Sequence, residues 1–433
     1  MVVTGYDHTC TLAPDGSAVK CWGHNTFGQL GIGSTNPRGG WTGSMASLET
    51  VAVGPALSIS AGRRHTCVQL AGGSVKCWGA GFQGQLGYDS DANLGDSTGE
   101  MTSLATVDLG SSKTVLAVSP SKHGHHTCAI LNDGTVKCWG KGNSGRLGYD
   151  STASKGAAAG DMEELAIVSI GTVLEMSLGA EHTCALLSVG TVKCWGLGDD
   201  GRLGLDSTSN RGDSAGSMQG LAAVNLGQDR KAVAVSAGGM HTCAILDDGT
   251  VKCWGMNSLG QLGYDDTSSR GLGGGGVGQM HGLGTVNLGS GKRALAISAG
   301  YEHTCVVLND HSVRCWGSGL NGRLGLDSLT NKGDATGGMA SLVAVNLGVG
   351  KTALGIHAGG RHTCVALNDG GVKCWGKGTF GELGSDATAD IGDEAGEMAL
   401  LTAVQIGGST AVRRISSGSE FACAVLSSGA LKW

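Results

Sequence analysis

His241-Thr242-Cys243-Ala244-Ile245-Leu246-Asp247-Asp248-Gly249-Thr250-Val251-Lys252-Cys253-Trp254-Gly255 decides the fold of this 433-residue chain. Two β-rich runs flank an Asp-Asp-Gly turn, and near-copies of the stretch recur along the whole sequence. The recurrence sets cysteine in seven close pairs: Cys10/Cys21, Cys67/Cys77, Cys128/Cys138, Cys184/Cys194, Cys243/Cys253, Cys305/Cys315 and Cys364/Cys374. Their first members are 57, 61, 56, 59, 62 and 59 residues apart, and Cys423 follows Cys364 by 59. A repeat of about 59 residues implies one supersecondary unit copied in series, so no side chain of the repeat is unique.

The turn fixes the register of each hairpin. In the third copy Leu131-Asn132-Asp133-Gly134-Thr135 reads as a type I turn followed by a glycine bulge, which sets Leu131 opposite Thr135. Counting outward, Ile130 meets Val136, Ala129 meets Lys137, and Cys128 meets Cys138. Opposed residues of an antiparallel ladder stand about 4.5 to 5.5 Å apart at Cα, inside disulfide range. The expectation is therefore seven disulfides, one per hairpin, each contributing at most about 3 kcal/mol. Zinc ligands and reduced core thiols are the rival readings, but zinc ligands usually sit two to four residues apart, and here a whole turn intervenes. Disulfides at this density point to an oxidising compartment, extracellular or at the cell surface.

Both ends read as strand interiors. Met1 to Asp7 aligns with Ala296 to Glu302, and Leu431-Lys432-Trp433 matches Val-Lys-Cys-Trp with the cysteine missing, which leaves Cys423 unpaired. The expectation is a single domain over 1–433, truncated at both ends. No signal peptide or membrane span is visible. Eighty glycines with four phenylalanines and four prolines describe short strands and many turns. A net charge of −6 without a basic tail offers nucleic acid little.

Within a unit, Ala232 to Ser236, His241 to Leu246 and Val251 to Trp254 read as three strands, with Gly284 to Leu288 as a fourth. Ile245 and Val251 share a face with the cysteines, while Leu246 and Trp254 take the other. A sheet apolar on both faces packs between neighbours, as blades do.

These motifs resemble the regulator of chromosome condensation repeat family: the histidine opening one strand, the Asp-Gly-Thr turn, the Trp-Gly closing the next, and a Gly-Gln/Arg/Glu-Leu-Gly tetrad at 28–31, 84–87, 145–148, 201–204, 260–263, 322–325 and 381–384. The resemblance implies an all-β protein, a β-propeller of four-stranded antiparallel blades. Eight hairpin units and seven complete repeats allow seven or eight blades. Intracellular members lack the cysteine staple, and the basic tail of the family's nucleotide exchange factor is absent, so exchange activity does not transfer. Secreted relatives include propellers that inhibit β-lactamase through loops at one end.

Four recurring polar features are candidates for chemistry. His8, His65, His126, His182, His241, His303 and His362 occupy one position, suited to a metal ring, a pH sensor or a structural bond. A cation recurs at Lys20, Lys76, Lys137, Lys193, Lys252, Arg314, Lys373 and Lys432, with its stem expected over the adjacent Trp. The long connections are acidic: Asp89, Asp91, Asp96 and Glu100 form a candidate calcium site, with related segments at Asp206 and Asp213, Asp327 and Asp334, and Asp386, Asp393, Glu394 and Glu397. Arg211-Gly212-Asp213 spells an adhesion tripeptide, but its slot reads Leu-Gly-Asp, Lys-Gly-Asp or Ile-Gly-Asp elsewhere.

No catalytic constellation or phosphate loop is present in the sequence. The expected function is a non-enzymatic extracellular building block of a surface or filamentous assembly. The alternative is a secreted protein binder or inhibitor acting through one face, and a third reading is guanine nucleotide exchange, which needs reduced cysteines. Partners are expected to be other protein chains, self-assembly included, with no cofactor beyond the candidate calcium.

Overall fold

The computed structural model describes residues 1–40, 45, 47–273, 279–379, 381–384, 388–404, 412–419, 422–426 and 431–432; Asp386 and Trp433 lie outside them. The described residues form eight three-stranded antiparallel sheets. The first is Val2–Thr4, His8–Leu12 and Val19–Gly23, and the second Ala56–Ala61, His65–Leu70 and Val75–Gly79. Next come Val115–Pro120, His126–Leu131 and Val136–Gly140, then Val173–Leu178, His182–Leu187 and Val192–Gly196. The fifth and sixth are Ala232–Ala237, His241–Leu246 and Val251–Gly255, and Ala294–Ala299, His303–Leu308 and Val313–Gly317. The last two are Ala353–Ala358, His362–Leu367 and Val372–Gly376, and Val412–Ser417, Ala422–Leu426 and Leu431–Lys432. The chain divides into two compact units, one of Met1–Thr183, Trp195–Leu197 and Asn210–Leu221, the other of Cys184–Cys194, Gly198–Ser209 and Ala222–Trp433.

The hairpins keep the register that their turns dictate. Ile130 pairs with Val136, Ala129 with Lys137 and Cys128 with Cys138. Across these hairpins the structure joins Cys10 to Cys21, Cys67 to Cys77, Cys128 to Cys138 and Cys184 to Cys194. It likewise joins Cys243 to Cys253, Cys305 to Cys315 and Cys364 to Cys374. The expected Cα separation needs one correction: at every bridge, from Cys10–Cys21 to Cys364–Cys374, it is 4.1 Å, below the range read from the ladder. Such closeness belongs to the non-hydrogen-bonded class of pair. Consistently, the Cys138 amide turns outward and donates to the Tyr149 hydroxyl at 2.8 Å.

Packing follows the two-faced pattern. In one core cluster of the second unit Cys243, Ile245, Val251 and Cys253 meet Val306, Leu308 and Trp316 of the following sheet. The same alternation in the first unit sets Cys67, Val75 and Cys77 against Ala129, Leu131 and Trp139. Six tryptophans of the third strands, Trp78 to Trp375, are fully buried. Each large ring buries on the order of 150–250 Å², so these interfaces carry much of the hydrophobic stabilisation.

The fourth strand is where the structure departs from the expected blade. Val286 donates one backbone bond to Val251 O at 2.8 Å, and no ladder follows. Instead Asn287 Oδ1 accepts the Gly289 amide at 3.0 Å, an Asx turn that curls the chain away after one residue. The outer edge is otherwise made by isolated bridges such as Gly140 with Lys155 and Gly255 with Arg270. First strands carry a β-bulge near their start, which turns Leu57, Leu116, Val233, Leu295 and Leu354 outward.

Candidate functional site: a cationic and aromatic turn face

The bridged cysteines are structural. Cys21 is fully buried with Cys10 in a core cluster that includes Leu30 and Ile59. Cys315 is fully buried with Cys305 among Leu324 and Val345. Both Cys21 and Cys315 are therefore staples inside apolar packing, without the exposure that redox or ligand chemistry needs. The same holds for the bridges of Cys184 with Cys194 and Cys364 with Cys374, each of which lines a core cluster.

The repeated histidines are structural. His8 Nε2 lies 2.8 Å from Thr66 Oγ1 of the next repeat, and that hydroxyl donates to Gln29 O at 3.0 Å. The hydroxyl proton is committed to the carbonyl, so the imidazole must donate from Nε2. The relay recurs from His65 to Thr127, His126 to Thr183, His241 to Thr304 and His303 to Thr363, at 2.8 to 3.0 Å. Burial pushes the His65 pKa down to about 3, and it holds His126 and His303 well below the ordinary value. Glycine three residues earlier makes room: a Cβ on Gly62 would stand 2.4 Å from His65 Cε1.

The acidic connections do not assemble the candidate calcium site. Asp89 Oδ2 and Oδ1 accept the amides of Gly160 and Met162, each at 2.9 Å. Glu100 Oε2 accepts Gly95 and Ser97 amides at 2.8 and 3.0 Å, and Asp96 Oδ1 accepts the Ser97 hydroxyl. With Asp91, these carboxylates read as cation ligands in the sequence, yet among the described residues no group of three or more His, Cys, Asp or Glu could hold a metal. Asp89 and Glu100 serve the backbone instead. The Asp89 arrangement repeats at Asp150 to Gly216 and Met218, Asp265 to Gly337 and Met339, and Asp327 to Gly396 and Met398. Each clamping Asp has positive φ, between 54° and 60°.

The remaining motifs are likewise absorbed. Arg211 pairs through its backbone with Gly196, and Gly212 is buried against Gly145, so the tripeptide lies within a sheet edge. At the recurring cation position Arg314 reaches back to the end of the preceding connection, where its Nη1 donates to Leu288 O at 3.0 Å. Cys423 is buried, with its thiol pKa pushed above the usual range by burial.

The side chains that stay available sit between the structural glycine and histidine, in the turn joining first and second strands. In the first unit these turns hold Tyr6 and Asp7, Arg63 and Arg64, then a longer Lys122-His123-Gly124-His125. Backbone bonds tie successive turns together: Tyr6 N donates to Arg63 O at 3.2 Å, and Arg63 N to Ser121 O at 2.8 Å. Ser121 Oγ continues the series to Gly179 O at 2.7 Å. These bonds are made within the chain, and such preorganisation lowers the cost of binding.

On this platform cations lie over rings. Arg63 Cζ is 5.2 Å from the Tyr6 centroid and Arg64 Cζ 4.9 Å from that of Phe27. Phe82 stands 5.9 Å from Phe27 and meets His125 edge-on at 5.2 Å. Burial first, then neighbouring cations, hold His123 and His125 down to about 4, and burial lowers Lys122 to about 8. The acid–base contacts here, among the described residues, set Asp7 beside His8 and His24 and pair Arg146 with Glu181; none involves Arg63 or Arg64. Sequence reading missed this face because these positions differ from copy to copy.

A disulfide-stapled array of hairpins, with histidine–threonine relays joining neighbouring repeats within each unit, defines a β-propeller of repeated units. Seven copies of the "Regulator of chromosome condensation (RCC1) repeat" run through the chain, matching residues 2–29, 57–85, 124–146, 173–202, 232–261, 295–323 and 356–382. The chain is 26% identical over 392 residues to the Ultraviolet-B receptor UVR8 of Arabidopsis thaliana, covering 90% of this chain and 79% of that protein. Over 273 residues it is 29% identical to the E3 ubiquitin-protein ligase HERC2 of Homo sapiens, of which it spans 5%. Among solved structures, Prp20p from Saccharomyces cerevisiae, described with its binding properties to Gsp1p and histones, matches with a TM-score of 0.67 at 19% identity, covering 95% of this chain and 92% of that one. Among the described residues no helix is long and apolar enough to cross a membrane.

Proposed function

We propose that this chain is a non-enzymatic protein-binding propeller, a single domain over residues 1–433, working outside the cell or at its surface. It holds a partner protein at the turn face of Tyr6, Phe27, Arg63, Arg64, Phe82 and His125. The observation that carries this reading is the pair of arginines stacked on rings of a hydrogen-bonded turn platform, with no carboxylate of their own. Cations over aromatics are the composition of binding hot spots. The histidines of the repeat, the natural candidates for acid–base work, are buried and bonded to threonine, which supports a binding role over a catalytic one.

The compartment rests on the hairpin bridges. Intact mass of the native protein is expected to fall about 14 Da below that of the reduced chain, two hydrogens for each bridge. Free thiols at these positions in freshly isolated protein would overturn the extracellular assignment. For the face itself, Phe82→Glu should abolish co-purification of the native partner, whereas Val349→Glu, at a fully exposed residue elsewhere, should leave it intact. Equal recovery by both variants would remove the face from the function. A building block of a surface or filamentous assembly is the case in which the partner is another copy; sedimentation across a concentration range reads it directly.

A further inference from the structure

On the reading of this face as a docking site, we propose that the partner presents a carboxylate-rich peptide segment to Arg63 and Arg64. Each guanidinium carbon lies over a ring, and among the described residues no side-chain hydrogen bond or ion pair engages either group, which leaves their Nη donors for bidentate recognition of carboxylates. The Nε atoms of both arginines are buried and find no hydrogen-bond partner among the described residues. Lys122 and Lys141 add positive charge beside His123 and His125, while Asp7 is already engaged by His24 and Gln29. A local cationic site on a chain of net charge −6 is complementary to a short acidic segment. Single-stranded nucleic acid fits less well, because base stacking needs open rings and those of Tyr6 and Phe27 carry guanidinium groups.

The test uses the full, disulfide-intact chain and a fluorescent decaglutamate peptide, with labelled decathymidylate as a second probe. Anisotropy should show decaglutamate binding that weakens with salt and falls by about tenfold or more in Arg63→Gln/Arg64→Gln. The Arg63→Lys/Arg64→Lys variant, which keeps charge and removes the fork, should lose about threefold. Lys113→Gln, whose side chain pairs with Asp133 at a hairpin turn, should bind as the parent does. No binding, or equal binding by the parent and both double variants, overturns the proposal. Decathymidylate binding as tightly as decaglutamate, and lost in the same variants, overturns it in favour of nucleic acid. Loss of the native partner in Phe82→Glu with decaglutamate binding absent would leave the docking face standing and reject its acidic ligand.

Discussion

The same turn is built twice with different purpose. In the first unit the two positions between glycine and histidine read Tyr6-Asp7 and Arg63-Arg64, and the third turn is extended to carry Lys122, His123 and His125. In the second unit they read Gly239-Met240, Tyr301-Glu302 and Gly360-Arg361. The backbone bonds are alike, Gly239 N to Gly300 O and Tyr301 N to Gly359 O at 3.2 and 3.3 Å. What differs is the load on the frame. Tyr6 lies beneath a guanidinium, whereas the Tyr301 ring covers Gly239, where an added Cβ would meet it at 2.8 Å. The charge at Glu302 is matched by Arg323 from within the same unit. The frame is common; at these turns the guanidinium over a ring belongs to the first unit, while the second unit's Arg270, over Tyr264, is already paired with Asp266.

The largest expected effect tests how far the frame is shared. The folded His65 pKa is about 3 against an ordinary 6.5, so the unfolded chain binds the proton first as pH falls. Its contribution is fully present above pH 6.5 and is lost progressively down to about 3, with a limiting slope of about 1.4 kcal/mol per pH unit for each such histidine. His126 and His303 have the same sign. Urea midpoints should fall between pH 7 and 4, and hydrogen exchange should show the first unit weakening more steeply, because His123 and His125 add to it. Equal acid sensitivity of the two units would break the comparison.

Next in size is the glycine that accommodates the ring. Gly62→Val in the first unit and Gly300→Val in the second each bring a Cβ to 2.4 Å from a buried imidazole carbon. Both should lose about 3 kcal/mol or more in denaturant unfolding. Gly72→Ala, with nothing near its Cβ, should stay within about 0.5 kcal/mol. A mild Gly300→Val beside a severe Gly62→Val would show that the two frames differ after all.

These contrasts mark what sequence could reveal. Asn132-Asp133-Gly134 fixes a hairpin register, and register alone sets Cys128 opposite Cys138 and separates the Ile245 face from the Trp254 face. The failed fourth strand turned on Asn287, whose side chain competes with the ladder for the next amide. The acidic connections misled because composition does not say whether a carboxylate faces a cation or a backbone amide: Asp89 finds its donors at Gly160 and Met162, more than seventy residues away. The turn face escaped because attention to a repeat selects what the copies share. Arg63 and Arg64 stand in the gap where the copies disagree, and subtracting the repeat would have exposed them.

The smallest effect separates two arginines, one in each unit. Arg323 is 1% exposed and donates to Leu320 O at 2.8 Å and to Gly360 O and Glu302 Oε2 at 3.4 Å. Arg323→Met keeps the stem but strands these acceptors, and should cost about 2 to 3 kcal/mol. Arg64 differs in every respect that matters to stability: it is half-buried and its recorded side-chain contact is with the Phe27 ring. Removing it forfeits about 0.5 to 1 kcal/mol of cation–π attraction. Arg64→Gln should therefore unfold within about 1 kcal/mol of the parent, while its affinity for an acidic segment falls. If Arg64→Gln were as destabilising as Arg323→Met, Arg64 would be part of the frame, and the distinction between a shared platform and a local recognition face would fail at the residue on which it most depends.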